Sequence, residues 1–167
     1  MTHDVLVQRA VRWLRGTMGC NVVLAEPVTA LPVVPDAIGW RSGWSILVEC
    51  KTSRGDFFAD RRKPHLVQPD HGPGQERWYL TPPGLVQPEE VPEGWGLAEV
   101  RGSRVYRVKP PPPERRWSPK YDPTDRTRRI PERDRHDLII VLSMLRRHHI
   151  GIEWWQDQAR FKPLGAS

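Results

Sequence analysis

The sequence predicts a mixed α/β domain in which helix, three strands, helix and strand succeed one another, followed by an added β-hairpin and a C-terminal helix. Three observations carry this: a helix-spaced apolar stripe near the N-terminus, a series of short apolar runs separated by turn residues, and a proline break after Lys109 that precedes a second helical pattern. The 167 residues suffice for one well-formed core with room for an appendage. The expected divisions are a core over 1–109, a Pro/Arg-rich basic linker over 110–130 and a helical extension over 131–167.

Thr2 to Thr17 spaces Val7, Ala10, Val11 and Leu14 along one helical face, with Thr2 as N-cap and Gly16 or Gly19 as the stop. Cys20 to Ala25 has strand composition and ends at Glu26-Pro27, where proline cannot extend a ladder, so Glu26 stands at a strand end. From Pro35 to Ser53 the chain folds back on itself about the tight-turn dipeptide Ser42-Gly43. Counting outward from that turn pairs Arg41 with Trp44, Trp40 with Ser45, Gly39 with Ile46, Ile38 with Leu47, Ala37 with Val48 and Asp36 with Glu49. Alternation then puts Leu47, Glu49 and Lys51 on one face and Ile46, Val48 and Cys50 on the other, and a one-residue slip would reverse every side chain.

Ser53 and Asp56 have capping-box spacing, which starts a helix at Arg54 and runs it to Lys63, just before Pro64. His65 to Gln75 collects Pro, Gly, Asp and His without periodicity and is expected to be a surface loop. Strands follow at Arg77 to Thr81, Trp95 to Arg101 and Arg104 to Lys109, the last two joined by Gly102-Ser103. Lys109 to Ile130 carries seven Lys or Arg against three Asp or Glu, a tether extended where its prolines run together. Pro131, Glu132 and Asp134 suit the first turn of a helix with Leu138, Val141, Leu142 and Leu145 as its core face, ending at Arg146 to His149 before Gly151. Ile139, Ile140 and Met144 widen the stripe, so this helix, with Trp154 and Trp155 nearby, is the expected surface for a second subunit or another protein partner. Adjacent histidines diverge on a helix, so His148, His149 and Glu153 are not taken as a metal site.

The chemistry concentrates where Asp36 faces Glu49. Directly opposed residues have Cβ atoms about 5 Å apart, where like charges repel. Lys51 is one compensating charge, and a hard divalent cation with oxygen ligands is another. An ordinary ion pair at a solvated strand end is the alternative. The apolar run Ile46 to Val48, leading directly into Glu49, favours charges at the mouth of a buried sheet.

Pro35-Asp36, twelve intervening residues and Glu49-Cys50-Lys51 resemble the signature of the PD-(D/E)XK nuclease superfamily, the restriction-endonuclease-like fold. The likeness continues through Thr52 to Asp60, Arg61-Arg62-Lys63-Pro64, Trp78 to Leu85 and Pro92 to Leu97, which are similar to bacterial and phage members, and covers roughly the first 110 residues. The resemblance implies an α-β-β-β-α-β core and metal-dependent hydrolysis of phosphodiester bonds in nucleic acid, DNA in preference to RNA. Asp36, Glu49 and Lys51 would be catalytic. Asp36, Glu49 and the backbone carbonyl of Cys50 would hold Mg²⁺ or Mn²⁺, with Glu26 as a further ligand or a group behind the ligands. Many members carry an acidic residue on the first helix, whereas this helix offers only Asp4 and Gln8 near its start. The Gln-x-x-x-Tyr spacing of Gln75 and Tyr79, which some members place on a helix, falls in a loop and strand context and is treated as chance.

A net charge of +6, from arginine more than lysine, suits an anionic partner. Ser53, Arg54, Arg61, Arg62 and Lys63 around the second helix, and Arg115, Arg116 and Trp117 in the linker, are the candidate nucleic-acid contacts, with Tyr121 available to stack on bases. Cys20 and Cys50 are expected as small core residues in buried strands, in a reducing compartment. No apolar run approaches a membrane span and the N-terminus lacks a secretory layout, so a cytoplasmic location without membrane partners is expected. Two rival classes are a catalytically silent nucleic-acid-binding module on the same fold and an assembly protein whose tail binds other proteins.

Overall fold

The apolar run Ile46 to Val48, flanked by Trp44 and Cys50, is what a strand needs if both of its faces are to be covered, and the architecture is built around that strand. In the computed structural model the element order is α1 (His3–Arg15), β1 (Val22–Ala25), β2 (Ala37–Arg41), β3 (Trp44–Cys50), α2 (Arg54–Asp60), β4 (Glu76–Thr81), β5 (Trp95–Arg101), β6 (Arg104–Lys109), α3 (Pro131–Arg147), β7 (Ile150–Trp155) and β8 (Gln158–Pro163), with short 3-10 turns at Pro88–Glu90 and Pro113–Arg115. The structure describes residues 1–28, 34–60, 63, 72–116 and 131–147, side chains in the last helix from 135 onward, and the backbone of 150–155 and 158–163.

Strands β1 to β6 form one mixed sheet in sequence order. β3, β4 and β5 are mutually parallel, and β1/β2, β2/β3 and β5/β6 are antiparallel. The β2–β3 register is Arg41 with Trp44 through Ala37 with Val48, the pairing counted from Ser42-Gly43. Positive φ angles at Ser42 (48°) and Gly43 (76°) give the primed turn that matches the right-handed twist of two strands.

All seven residues of β3 are buried, and they divide as alternation requires. Ile46, Val48 and Cys50 join Leu6, Ala10, Trp13 and Leu14 of α1 together with Trp78 and Leu80, where Trp13 meets Trp78 edge-on at 5.2 Å. On the opposite face Leu47 packs with Phe57 of α2, Tyr79, Trp95 and Leu97, with Tyr79 and Trp95 stacked at 4.4 Å. Burying a side chain of this size contributes about 1.5–3 kcal/mol, so both layers are strongly held. Both cysteines are free and buried. Burial pushes the Cys20 thiol up to about 11 and that of Cys50 higher still, so both are inert packing groups.

Four expectations are revised. Cys20 precedes β1 rather than belonging to it, because its N–H is used by Leu14 O in the turn that leaves α1. α2 is described as far as Asp60 and Lys63 is no longer helical, while Arg61 and Arg62 lie outside the described residues, as do residues 64–71 of the expected loop. The third revision concerns α3, which docks through Asp137 and Ile140, leaving Leu138 and Leu142 about half exposed, so the expected core face is rotated. The reason is polar. Asp137 Oδ1 accepts a hydrogen bond from Gly74 N at 3.1 Å, and this buried pair sets which side of a broad apolar stripe turns inward. After α3 comes the antiparallel pair β7–β8 in place of further helix, so Gly151 lies within a strand. His148 and His149 lie outside the described residues, as do the side chains of Glu153, Trp154 and Trp155. Among the described residues no helix is long and apolar enough to cross a membrane.

Gly74 sits at φ +83° with space for no side chain, since a Cβ there would lie 2.4 Å from Leu47 Cβ. Gly74→Ala should therefore destabilise by about 2–4 kcal/mol, combining left-handed strain with overpacking, as read by urea denaturation. An unchanged midpoint would mean that β4 enters the sheet with more slack than this packing allows.

Candidate functional site

Each charged group at the end of β3 is placed by an element already described. β3 delivers Glu49 on the α2 face, and one residue past its end the Lys51 N–H still bonds Leu80 O at 3.0 Å, continuing the parallel pairing with β4. Ser53 caps α2 by accepting from Asp56 N at 3.1 Å, which starts the helix where Asp56 and Asp60, one turn apart, both look back at Lys51. Asp36 stands just before β2. Its carbonyl takes the Glu26 N–H at 3.0 Å, and its Oδ2 accepts the Cys50 N–H at 2.6 Å, fastening the carboxylate across the end of β3.

Glu49 and Lys51 are both buried. The Lys51 ammonium lies 2.5 Å from Asp60 Oδ2, 3.7 Å from Asp56 Oδ1 and 3.8 Å from Glu49 Oε2. Asp60 is itself buried and uses its other oxygen on Lys63 Nζ at 2.7 Å. Burial works against the Lys51 charge, but Glu49 and Asp60 outweigh it and hold its pKa above the ordinary lysine value. Glu49 is pushed well above the usual carboxylate range by burial first and by Asp36 next, with Lys51 opposing. Its Oε1 is buried without a hydrogen-bond partner. Burial also raises Asp36, against the pull of the Cys50 amide and His3.

The α1 side of the site was not foreseen. His3, the first residue of α1 after the Thr2 cap, brings Nε2 to 3.4 Å from Asp36 Oδ1 and 3.5 Å from Glu26 Oε1. One donor atom from each of the three lies within 4.8 Å of the others, a spacing that a metal ion could bridge. Glu26 reaches this position with φ 42°, a left-handed backbone that costs a non-glycine residue on the order of 1 kcal/mol. His3 and Glu26 are partly or largely exposed while Glu49 and Lys51 are enclosed, so the cluster opens to solvent on the α1 side.

The structure thus brings Asp36, Glu49, Lys51 and Glu26 together and adds His3, Asp56 and Asp60. The signal for the last two was present in the sequence, as carboxylates four apart on the helix that follows Lys51. His3 gave only its place beside an N-cap. The expected nucleic-acid contacts fare differently. Arg54 is committed to Glu90 through two nitrogens, at 2.5 and 3.0 Å, and to Leu85 O, and it stacks over Phe58, so it staples the loop after β4. Ser53 is a helix cap and Lys63 an ion-pair partner of Asp60. Arg115 and Arg116 each already have partners within the fold, and Arg115 lies close enough to depress the buried Arg77. Trp117 and Tyr121 lie outside the described residues. Gln75 serves β3, its Oε1 accepting Ser45 N at 2.9 Å.

No protein-family model and no curated protein matches the chain. Among solved structures it is similar to the SPO1766 protein of unknown function from Silicibacter pomeroyi, with a TM-score of 0.58 and 21% identity over 88% of this chain and 89% of that one. At that identity the likeness shows a shared fold alone.

The raised Glu49 pKa has a sign that can be measured. Between the ordinary value of 4.5 and its higher folded value, the folded chain holds a proton that the unfolded chain has released, so this group lowers stability as pH rises through that window. In chelator, Glu49→Gln should flatten the fall in unfolding free energy from about pH 4.5 upward. A variant that keeps the full wild-type slope would show that Glu49 is not held protonated by the fold.

Proposed function

We propose that this chain is a divalent-metal-dependent nuclease of the restriction-endonuclease-like fold that hydrolyses phosphodiester bonds in nucleic acid, DNA in preference to RNA. One observation carries the reading: Glu49 is buried with an unpartnered oxygen, beside a second carboxylate and a lysine held by Asp60. A buried acid in that state is costly unless a proton or a cation completes it.

The donor set fits Mg²⁺ or Mn²⁺. Asp36, Glu49 and the Cys50 carbonyl would hold the ion, with Glu26 and His3 as further donors on the open side. When bound, the ion supplies Lewis-acid chemistry, lowering the pKa of water and offsetting charge that develops on the phosphate. Lys51 stays protonated and donates to a phosphate oxygen or to the attacking water. Asp60 is a positioning residue. It fixes the ammonium from behind, so that Lys51 meets substrate in one geometry.

Asp36→Asn and Lys51→Met should each cut less than wild type by about a hundredfold or more while leaving the chain folded. The measurement is a time course on labelled duplex, single-stranded, branched and RNA substrates in Mg²⁺, Mn²⁺ or chelator. Nucleic-acid binding with no cleavage in either metal would favour the silent binding module instead. Imidazole suits transition ions more than Mg²⁺, so His3→Ala should weaken Mn²⁺ binding more than Mg²⁺ binding in calorimetric titrations. Equal losses for both ions would remove His3 from the donor set.

A further inference from the structure

We propose that a groove between α1 and the β5–β6 turn is a second nucleic-acid contact that grips a backbone phosphate away from the cleavage site; this rests on the nuclease reading above. The groove holds about 340 Å³ and is lined by Arg9, Arg12, Thr17, Ser103 and Arg104, with Trp13 and Val105 as its apolar walls. Three guanidinium groups from two separate elements converge there, and no carboxylate is among the lining residues.

Two of the three arginines are not spent within the fold. Arg9 Nη1 donates to Ser103 O at 3.2 Å, closing one wall of the groove. The Arg12 and Arg104 side chains are exposed and, among the described residues, form neither an ion pair nor a hydrogen bond. A basic last turn on a helix is accounted for by the helix dipole, and that covers Arg12 and Arg15. It does not account for Arg9, higher on the helix, or for Arg104, which arrives from the hairpin. Cations gathered without a counter-charge repel one another, and a bridging oxyanion relieves that repulsion through charge-assisted, forked hydrogen bonds. The hydroxyls of Thr17 and Ser103 add neutral donors or acceptors.

The position also suits a polymer. His3 and Arg12 are nine residues apart on one helix, about 14 Å along its axis and half a turn around it. At a rise of about 3.4 Å per nucleotide step in a duplex strand, that spans roughly four steps. A strand whose scissile phosphate lies at Asp36 and Glu49 reaches this groove by crossing over α1, at least about four nucleotide steps away. A free phosphate or polyphosphate has the same chemistry without the spacing.

The test uses the full chain, with fluorescence anisotropy on labelled duplex in Ca²⁺ from about 50 to 250 mM salt. Compared with wild type, the double variant R12Q/R104Q should bind more weakly on every sequence. Its slope of log affinity against log salt should be shallower by about one unit, whereas R15Q, on the same helix outside the groove, should change neither. Mn²⁺ affinity should be unchanged in all of them. An unaltered slope for the double variant, or an equal effect of R15Q, overturns the groove while leaving the nuclease reading intact. Loss of pyrophosphate binding in the variant with duplex binding unaffected would assign the groove to free phosphates and overturn it as a strand contact. Wild-type protein that binds no nucleic acid overturns both readings, and a wild type that cuts confirms the first independently.

Discussion

A charged pair at the end of a strand covered on both faces is the constraint on which the rest of the molecule depends. β3 spends five apolar or small residues forming the middle of two cores and then must accommodate Glu49 and Lys51 without reaching solvent. Desolvation penalises both charges, and a single mutual contact at 3.8 Å does not compensate for it. The neighbouring elements are arranged to finish the task. α2 begins immediately after Lys51 because Ser53 caps it there, and that start aims Asp60 at the ammonium. Lys51 is thereby settled. Glu49 is not, because Asp36 is brought close by the same hairpin and adds repulsion rather than relief.

The two sides of the sheet therefore carry different electrostatic states. On the α2 side Lys51, Asp56, Asp60 and Lys63 form a chain of alternating sign that is largely neutralised. Toward α1, Asp36, Glu26 and His3 leave an excess of negative charge at an opening. Asp36 cannot swing away from this arrangement, since its other oxygen is bonded to the Cys50 amide. A site with one compensated half and one cation-hungry half is suited to recruiting a positive ion from solution while keeping a lysine in reserve for an anionic substrate. The arginine groove farther along α1 has the opposite sign, so the same helix presents an acidic N-terminal neighbourhood and a basic C-terminal one.

How much of this was legible follows from the range of each interaction. The β2–β3 register could be counted because it depends on a two-residue turn and alternation, both local, and β5 and β6 were bounded by equally local turn residues. Glu49 and Lys51 on one face followed from the same arithmetic. His3 could not be found this way. Its role depends on the angle at which α1 crosses the sheet, which is set by Leu6, Ala10, Trp13 and Leu14 packing on side chains from four strands. The Arg54–Glu90 pair was hidden for a similar reason, because Glu90 is 36 residues away and a basic residue near a helix start looks free until that loop is placed. The docked face of α3 was hidden because seven apolar residues in one helix leave several stripes of comparable width, and the Asp137–Gly74 hydrogen bond favours one of them.

That hydrogen bond also fixes where the C-terminal segment acts. Arg77, in the first half of β4, is buried and donates to the carbonyls of Gly72, Pro73 and Gly74, and burial brings its pKa down to about 10 with Asp137 opposing the fall. β3 and β4 are parallel, so this network sits at the end of the strand pair opposite to Glu49 and Lys51. The appended helix and the candidate site thus share one pair of strands without sharing residues. Arg77 lies on the same face as Tyr79, the register partner of Glu49, and its charge favours ionisation there even through the packed layer. A buried guanidinium held by three carbonyls cannot easily leave, so it acts as a fixed positive background for the site, and α3 contributes chiefly by keeping the Gly72–Gly74 carbonyls where that charge needs them.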